Sequence, residues 1–270
     1  MSRFFTITLL FYFFSGIYNA DAQYNSPYRL SKKKDWPLLI SGAGLMTSGI
    51  LLVSNIVPPE VPGLNTPDIS DIVFFDRSAL DNLSIGKAST SDVLQYAAIA
   101  LPLTFLAIPQ TRKDFPTIGM MALEVFLINT GLNQTIKGIA QRDRPFTYNP
   151  DAPLEDRTSK GARTSFYSGH TASVAAFSFF FAKVISDYSD NPTLKTFVWI
   201  GAASLPLATA YLRVASGKHF TTDVMVGYAD GAAIGYLIPH IHKILKKNPR
   251  LSVVPSTLYG SSGLGVIYRF

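Results

Sequence analysis

The sequence predicts an all-α protein, a polytopic membrane helix bundle of about six transmembrane helices, and three observations carry that prediction. Long uncharged apolar runs recur along the chain, charged residues make up 16% of it against 47% hydrophobic ones, and the mean hydropathy is +0.21. Soluble domains carry about 25% charged residues, so this composition suits a protein whose outer surface meets lipid. It excludes a disordered chain and a nucleic-acid-binding tail. The 270 residues include no cysteine, which excludes disulfides, thiolate metal sites, iron–sulfur clusters and a cysteine nucleophile. The net charge of +6 is gathered at 32–34, at 112–113 and over 243–250, a distribution that follows membrane topology rather than DNA.

Taken in order, residues 1–22 hold Arg3, an apolar stretch over 4–14 and Ala20-Asp21-Ala22, a small-x-small pattern that reads as a secretory signal peptide. Residues 23–36 form a basic juxtamembrane segment. The main domain is expected over 37–245. Its first run, 37–57, carries no charge and at about 1.5 Å per residue spans the roughly 30 Å hydrocarbon core. Further helices are expected near 93–108, 116–139, 171–186, 196–214 and 223–245, with Pro102 and Pro206 as sites of bending. Gly227, Gly231 and Gly235 recur at four-residue spacing and predict that the last helix approaches a neighbour closely. Between the first two runs, 58–91 is acidic and contains a short apolar stretch over 72–75, consistent with an interfacial segment. The tail, 246–270, alternates in character and predicts a short hairpin or an irregular end, too little to close a barrel.

Three polar patches stand at the ends of apolar runs. In the first, Lys137 and Arg144 are seven residues apart, close to two helical turns, although Pro145 favours a helix ending near Asp143. Asn129 and Asn133 continue a polar face at four-residue spacing, suited to interhelical hydrogen bonds as much as to chemistry. The second patch is Ser165-Phe166-Tyr167-Ser168-Gly169-His170-Thr171. Ser168 can cap the helix that follows, Gly169 lets amides approach a ligand, the helix start favours an anion, and His170 could protonate a leaving oxygen. In the third, Asp223 follows His219 by four residues and can lie on the same helical side, accepting a hydrogen bond from one ring nitrogen and leaving the other for attack. Glu124 and Asp230 fall inside expected spans, where ionisable groups are costly; a structural hydrogen-bonding role is expected for Asp230. His240 and His242 read as interfacial.

These three patches together resemble the signature of the type 2 phosphatidic acid phosphatase (PAP2) and vanadium haloperoxidase superfamily: K-x6-RP at 137–145, the S-G-H of a PSGH motif at 168–170, and R-x5-H-x3-D at 213–223. Tyr167 stands where the motif usually has Pro, and Leu212 where a Ser often precedes the arginine. The resemblance implies that Lys137, Arg144 and Arg213 hold phosphate oxygens, with donors at Ser168 and Gly169. It implies that His219 attacks phosphorus to form a phosphohistidine, that Asp223 orients His219, and that His170 protonates the leaving alkoxide. No metal and no other cofactor is expected to take part.

The implied function is a bacterial membrane phosphatase acting on a lipid phosphate or diphosphate: phosphatidate, phosphatidylglycerol phosphate, undecaprenyl diphosphate or a lipid A phosphate. Its partners are then the bilayer and that lipid, with no nucleic acid. A vanadate-dependent haloperoxidase and a non-catalytic lipid-phosphate binding or transport protein are the alternatives, disfavoured by the apolar spans and by the full set of reacting groups. The basic clusters place the motif loops on the periplasmic side of an inner membrane, whereas a cleaved signal peptide followed by six spans would turn them inward.

Overall fold

The computed structural model describes residues 26–59, 72–244, 251–258 and 261–268, with side chains described up to residue 244. The signal-peptide segment lies outside the described residues. Six long helices form a bundle: α1 (Lys32–Ser54), α2 (Ile85–Ala100), α3 (Phe115–Ala140), α4 (Gly169–Tyr188), α5 (Pro192–Ala215) and α6 (Thr221–His242). Two strands follow, β1 (Leu251–Leu258) and β2 (Ser261–Tyr268), paired antiparallel with Leu251 opposite Tyr268. The tail is therefore a hairpin appended to a helical bundle.

Local sequence explains where the helices start and stop. Asp35, in the first turn of α1, accepts the Ser31 amide at 2.8 Å and so satisfies a donor that has no helical partner. Ser84 caps α2 and Asn191 caps α5, whose first residue is Pro192. Helix α3 stops at Ala140, ahead of the expected Asp143, because Gln141 turns left-handed at φ 42°. Pro102 ends α2 in a 3-10 segment, Leu101–Leu106, whereas Pro206 is accommodated within a continuous α5. Helix α2 begins eight residues before the apolar run at Val93, where Ser84 caps it; its first two turns are mostly exposed, with Ala88 and Ser91 buried.

Helix α4 is the centre. Residues on all its sides are buried, and it packs against α2, α3, α5 and α6, while α1 lies along α3. A helix surrounded by protein needs no polar face. The contact between α4 and α6 is close because of the glycines: a Cβ at Gly227, Gly231 or Gly235 would fall within 2.5 Å of the carbonyl oxygens of Ser168, Ala172 and Ala176. The stripe legible in the sequence is thus a packing face. The outer surface is apolar, with Ile40, Leu51, Phe197, Leu207, Met225 and Leu237 exposed. Helices α1 and α5, and the stretch Phe115–Tyr148 that contains α3, are long and apolar enough to cross a membrane. Helices α4 and α6 lie within the same bundle.

The helices alternate in direction, so one end collects the C-termini of α1, α3 and α5 with the N-termini of α2, α4 and α6. That end carries the motifs. The segment around Ile72 to Phe75 lies beside it, with Ile72 buried and Val73, Phe74 and Phe75 exposed as an apolar edge.

Candidate active site

The three motif patches, separated by up to 86 positions, converge at that end. Lys137 is in the last turn of α3, Arg144 in the loop after it, Ser168 is the N-cap of α4, and Gly169 and His170 open that helix. Arg213 is in the last turn of α5, His219 in the short connection to α6, and Asp223 in the first turn of α6. The helices end here for local reasons, and the ends bring together groups that the sequence keeps apart.

His219 is buried, and its Nδ1 lies 2.8 Å from the Ser165 carbonyl oxygen but 3.6 Å from Asp223 Oδ2. A carbonyl oxygen only accepts, so Nδ1 carries the proton and Nε2 keeps its lone pair. The acceptor that sets this tautomer is a backbone carbonyl, not the aspartate four residues on. Burial lowers the His219 pKa well below the usual imidazole value, and Arg144, Arg213 and Lys137 push in the same direction. The ring is therefore neutral at neutral pH.

Asp223 is fully buried and acts one step removed. Its carboxylate accepts the Ser165 hydroxyl at 2.5 Å, the Phe220 amide at 2.9 Å and an Arg142 N–H at 2.6 Å. It thus holds Ser165, whose carbonyl holds His219, and it holds the chain on both sides of the ring. Arg142 continues the network to Asp76 at 2.8 Å, and Asp76 accepts both the amide and the hydroxyl of Thr222. The guanidinium also lies 4.2 Å over the Phe220 ring.

The cations surround the neutral imidazole. Arg213 is buried and donates to Ser91 at 3.1 Å, and Arg144 donates to Thr164 at 3.1 Å. The Nε atoms of both arginines are buried and have no hydrogen-bond partner among the described residues. Buried donors left open are costly, and two of them beside a lysine make an anion cradle. Lys137 Nζ lies over the start of α4, 3.4 Å from where a Cβ at Gly169 would stand, and such a Cβ would meet Asn133 Oδ1 at 2.7 Å. Glycine is required there.

The donors at the start of α4 differ in part from expectation. The Ser168 hydroxyl caps the Thr171 amide, and the Ser168 amide donates to the Asp223 carbonyl at 3.1 Å. The first-turn amides of Gly169 and His170, which have no intrahelical acceptor, are the ones that suit an anion. Tyr167, in place of the motif's Pro, is buried; its hydroxyl donates to Asp230 at 2.7 Å and its carbonyl accepts Asn133 at 2.9 Å. Burial and Asp230 raise the Tyr167 pKa, so it stays a donor. Asp230 and Asn133 therefore hold the loop from below, and Asn129 donates to Ser173 at 3.3 Å.

Three further residues belong to this end. Arg142 and Asp76 link the loops, and Asp92 lies 2.7 Å from His170 Nε2 and 3.6 Å from Arg213. Asp92 sits in the polar first half of α2, which read as a connection because its apolar run begins one residue later. Arg142 had a signal in its proximity to Arg144, but the spacing from Lys137 and the proline that follows singled out Arg144 alone. A cleft of about 500 Å³ borders the site between Arg77, Leu80 and Asp81 on one side and Tyr148 to Asp151 on the other.

Fold and site together define a membrane helix bundle that presents an oxyanion cradle, with a neutral histidine at its centre, at one end of its helices. The family model for the PAP2 superfamily matches residues 117–247, the region that contains all three motifs. Among known proteins it is similar to phosphatidylglycerophosphatase B of Bacillus subtilis (strain 168), 29% identical over 133 residues. That match covers 48% of this chain and 60% of the relative's length. Among solved structures it is similar to a transmembrane PAP2 type phosphatidylglycerolphosphate phosphatase from Bacillus subtilis, with a TM-score of 0.47 and 20% identity over 77% of this chain and 98% of the other.

Proposed function

We propose that the protein is a membrane-embedded lipid phosphate phosphatase that works without a metal at the reacting centre, through a phosphohistidine. The observation that supports this best is the His219 tautomer: Nδ1–H is held by the Ser165 carbonyl, and a lone pair on Nε2 is surrounded by Lys137, Arg144 and Arg213. The phosphate oxygens sit against the open Nε donors of the two arginines, the Lys137 ammonium and the amides opening α4. Nε2 of His219 attacks phosphorus, the P–N bond forms, and the bond to the lipid oxygen breaks. His170, held by Asp92, gives its proton to that leaving oxygen. It then takes one from the water that attacks the phosphohistidine, and inorganic phosphate leaves with His219 restored. The cradle stabilises the charge that builds on the transferring phosphoryl group.

The substrate is a lipid whose head group enters from the interface beside the apolar edge at Val73 to Phe75, with its tail in the bilayer. The name of the Bacillus subtilis relative, phosphatidylglycerophosphatase B, favours phosphatidylglycerol phosphate. Phosphatidate, undecaprenyl diphosphate and lipid A phosphates carry the same reacting group, and the cleft beside the 146–166 loop is where head groups are distinguished. The domain limits are 1–22 for a leader, 23–36 for a basic segment, 37–245 for the phosphatase unit and 246–270 for the tail. The bundle lies in a bacterial inner membrane with the site on the periplasmic side. The basic residues at 32–34, 112–113 and 243 all belong to the helix ends opposite the motifs, which is the positive-inside pattern.

The test is phosphate release by the purified full chain in detergent across a panel of lipid head groups. Turnover persists during brief exposure to EDTA and is inhibited by vanadate; activity recovered only on adding a divalent cation overturns the mechanism. For orientation, single cysteines at exposed Lys160 and Asn191 are treated with an impermeant maleimide in spheroplasts. Labelling at 160 alone is expected, and labelling at 191 alone reverses the assignment.

A further inference from the structure

At the end of α6 opposite His219, three side chains from three helices meet: Asp35 of α1, Glu124 of α3 and His242 of α6. All three are fully buried, so His242 is interior and not interfacial as its position suggested. His242 Nε2 lies 2.9 Å from Asp35 Oδ1 and 3.4 Å from Glu124 Oε2, while its Nδ1 lies 2.8 Å from the Ile238 carbonyl. Neither oxygen of Glu124 has a hydrogen-bond partner among the described residues. A carboxylate that is wholly buried, has no donor and is aimed at the other two groups is a costly arrangement that a bound cation relieves.

We propose that Asp35, Glu124 and His242 form a structural site for a first-row divalent metal ion of the zinc type. The chemistry fits in three respects. An ion about 2.0–2.2 Å from each donor needs donors roughly 3–3.5 Å apart, as found between Nε2 and each carboxylate. The Nδ1–H bond to a carbonyl leaves Nε2 as the ligand, the orienting arrangement common to metal-bound histidines. Two carboxylates and a neutral imidazole cancel a divalent charge, so the site adds no net charge to the interior. Glu124 binding through both oxygens completes four ligand atoms, and the unused Asp35 oxygen keeps the Ser31 amide. The ion would join the start of α1, the middle of α3 and the end of α6, where Arg29 N also donates to the His242 carbonyl. His242 is nineteen positions along α6 from Asp223, about 28 Å at helical rise. Losing the ion therefore lowers stability and leaves the phosphoryl chemistry in place.

The probe is Zn²⁺, added to full-length protein in detergent after its affinity tag has been removed and prolonged dialysis against a chelator has stripped it. Elemental analysis after gel filtration should find one zinc per chain, with Tm raised by about 5 °C at saturation. Glu124→Gln and His242→Gln should lose both effects, and His240→Ala, a ring stacked on Tyr236, should keep both. Co²⁺ in place of zinc reports the ligands of the unmutated chain through its visible d–d absorption, which keeps the question answerable when a variant fails to fold. Substoichiometric zinc with an unmoved Tm, a weak spectrum of aquo type, or undiminished binding in folded Glu124→Gln and His242→Gln overturns the site; the first of these means that the cluster is held by a shared proton instead.

Discussion

Each end of α6 carries a buried histidine, and the two ends leave opposite groups open. Around His219 the open groups are donors, the Nε atoms of Arg144 and Arg213, whereas around His242 they are acceptors, the two oxygens of Glu124. In both places Nδ1 is tied to a backbone carbonyl, at 2.8 Å each, and Nε2 faces the open groups. The difference shows that the charge deficit of a buried cluster, rather than the histidine in it, tells which ligand it suits: an anion beside guanidinium Nε donors left open, a cation beside carboxylate oxygens that accept no hydrogen bond.

Breaking the anion end has the largest effect. His219→Ala should lower kcat by at least about 10³-fold with little change in Tm, as measured by phosphate release and thermal unfolding. Turnover near the wild-type level would mean that the nucleophile lies elsewhere. Arg213→Ala should cost about 10²- to 10³-fold in kcat/KM and weaken vanadate inhibition. Arg213→Lys should recover little of this, because an ammonium cannot present the Nε donor while bonding Ser91.

Asp92→Asn tests a positioning residue. Its carboxylate is 2.7 Å from His170 Nε2, and its loss should lower kcat by about 10-fold with a displaced pH optimum, whereas a purely structural role would leave the pH profile unmoved. The packing between the ends can be separated from the chemistry. Gly231→Ala places a Cβ 2.1 Å from the Ala172 carbonyl oxygen and should destabilise the fold by about 1–3 kcal/mol, while Gly44→Ala, with nothing within 4 Å, should be neutral or slightly stabilising.

The smallest effect concerns acid. The folded pKa of His219 lies below its unfolded value, so the unfolded chain takes up the proton first as pH falls. This group leaves stability unchanged above about pH 6.5 and reduces it below. The fall in Tm between neutral and mildly acid pH should therefore be shallower in His219→Gln than in wild type; equal slopes would show that the ring is not held neutral.

The sequence by itself determined the helical membrane architecture, because uncharged runs long enough to span lipid have few other uses. It also supplied the eight residues proposed for the site, through three motifs of short local spacing that resemble those of the PAP2 superfamily. The glycines of α6 were legible for the same reason, since a packing stripe follows the helical period. Partners that are distant in sequence had no such local sign. Only the tertiary structure decided that Ser165's carbonyl sets the His219 tautomer, that Arg142 ties Asp76 to Asp223, that Asp92 belongs to His170, and that residues 35, 124 and 242 share one buried point. Those relations depend on which faces of the packed helices meet, and a carbonyl or a lone carboxylate carries no pattern along the chain that foretells its neighbour.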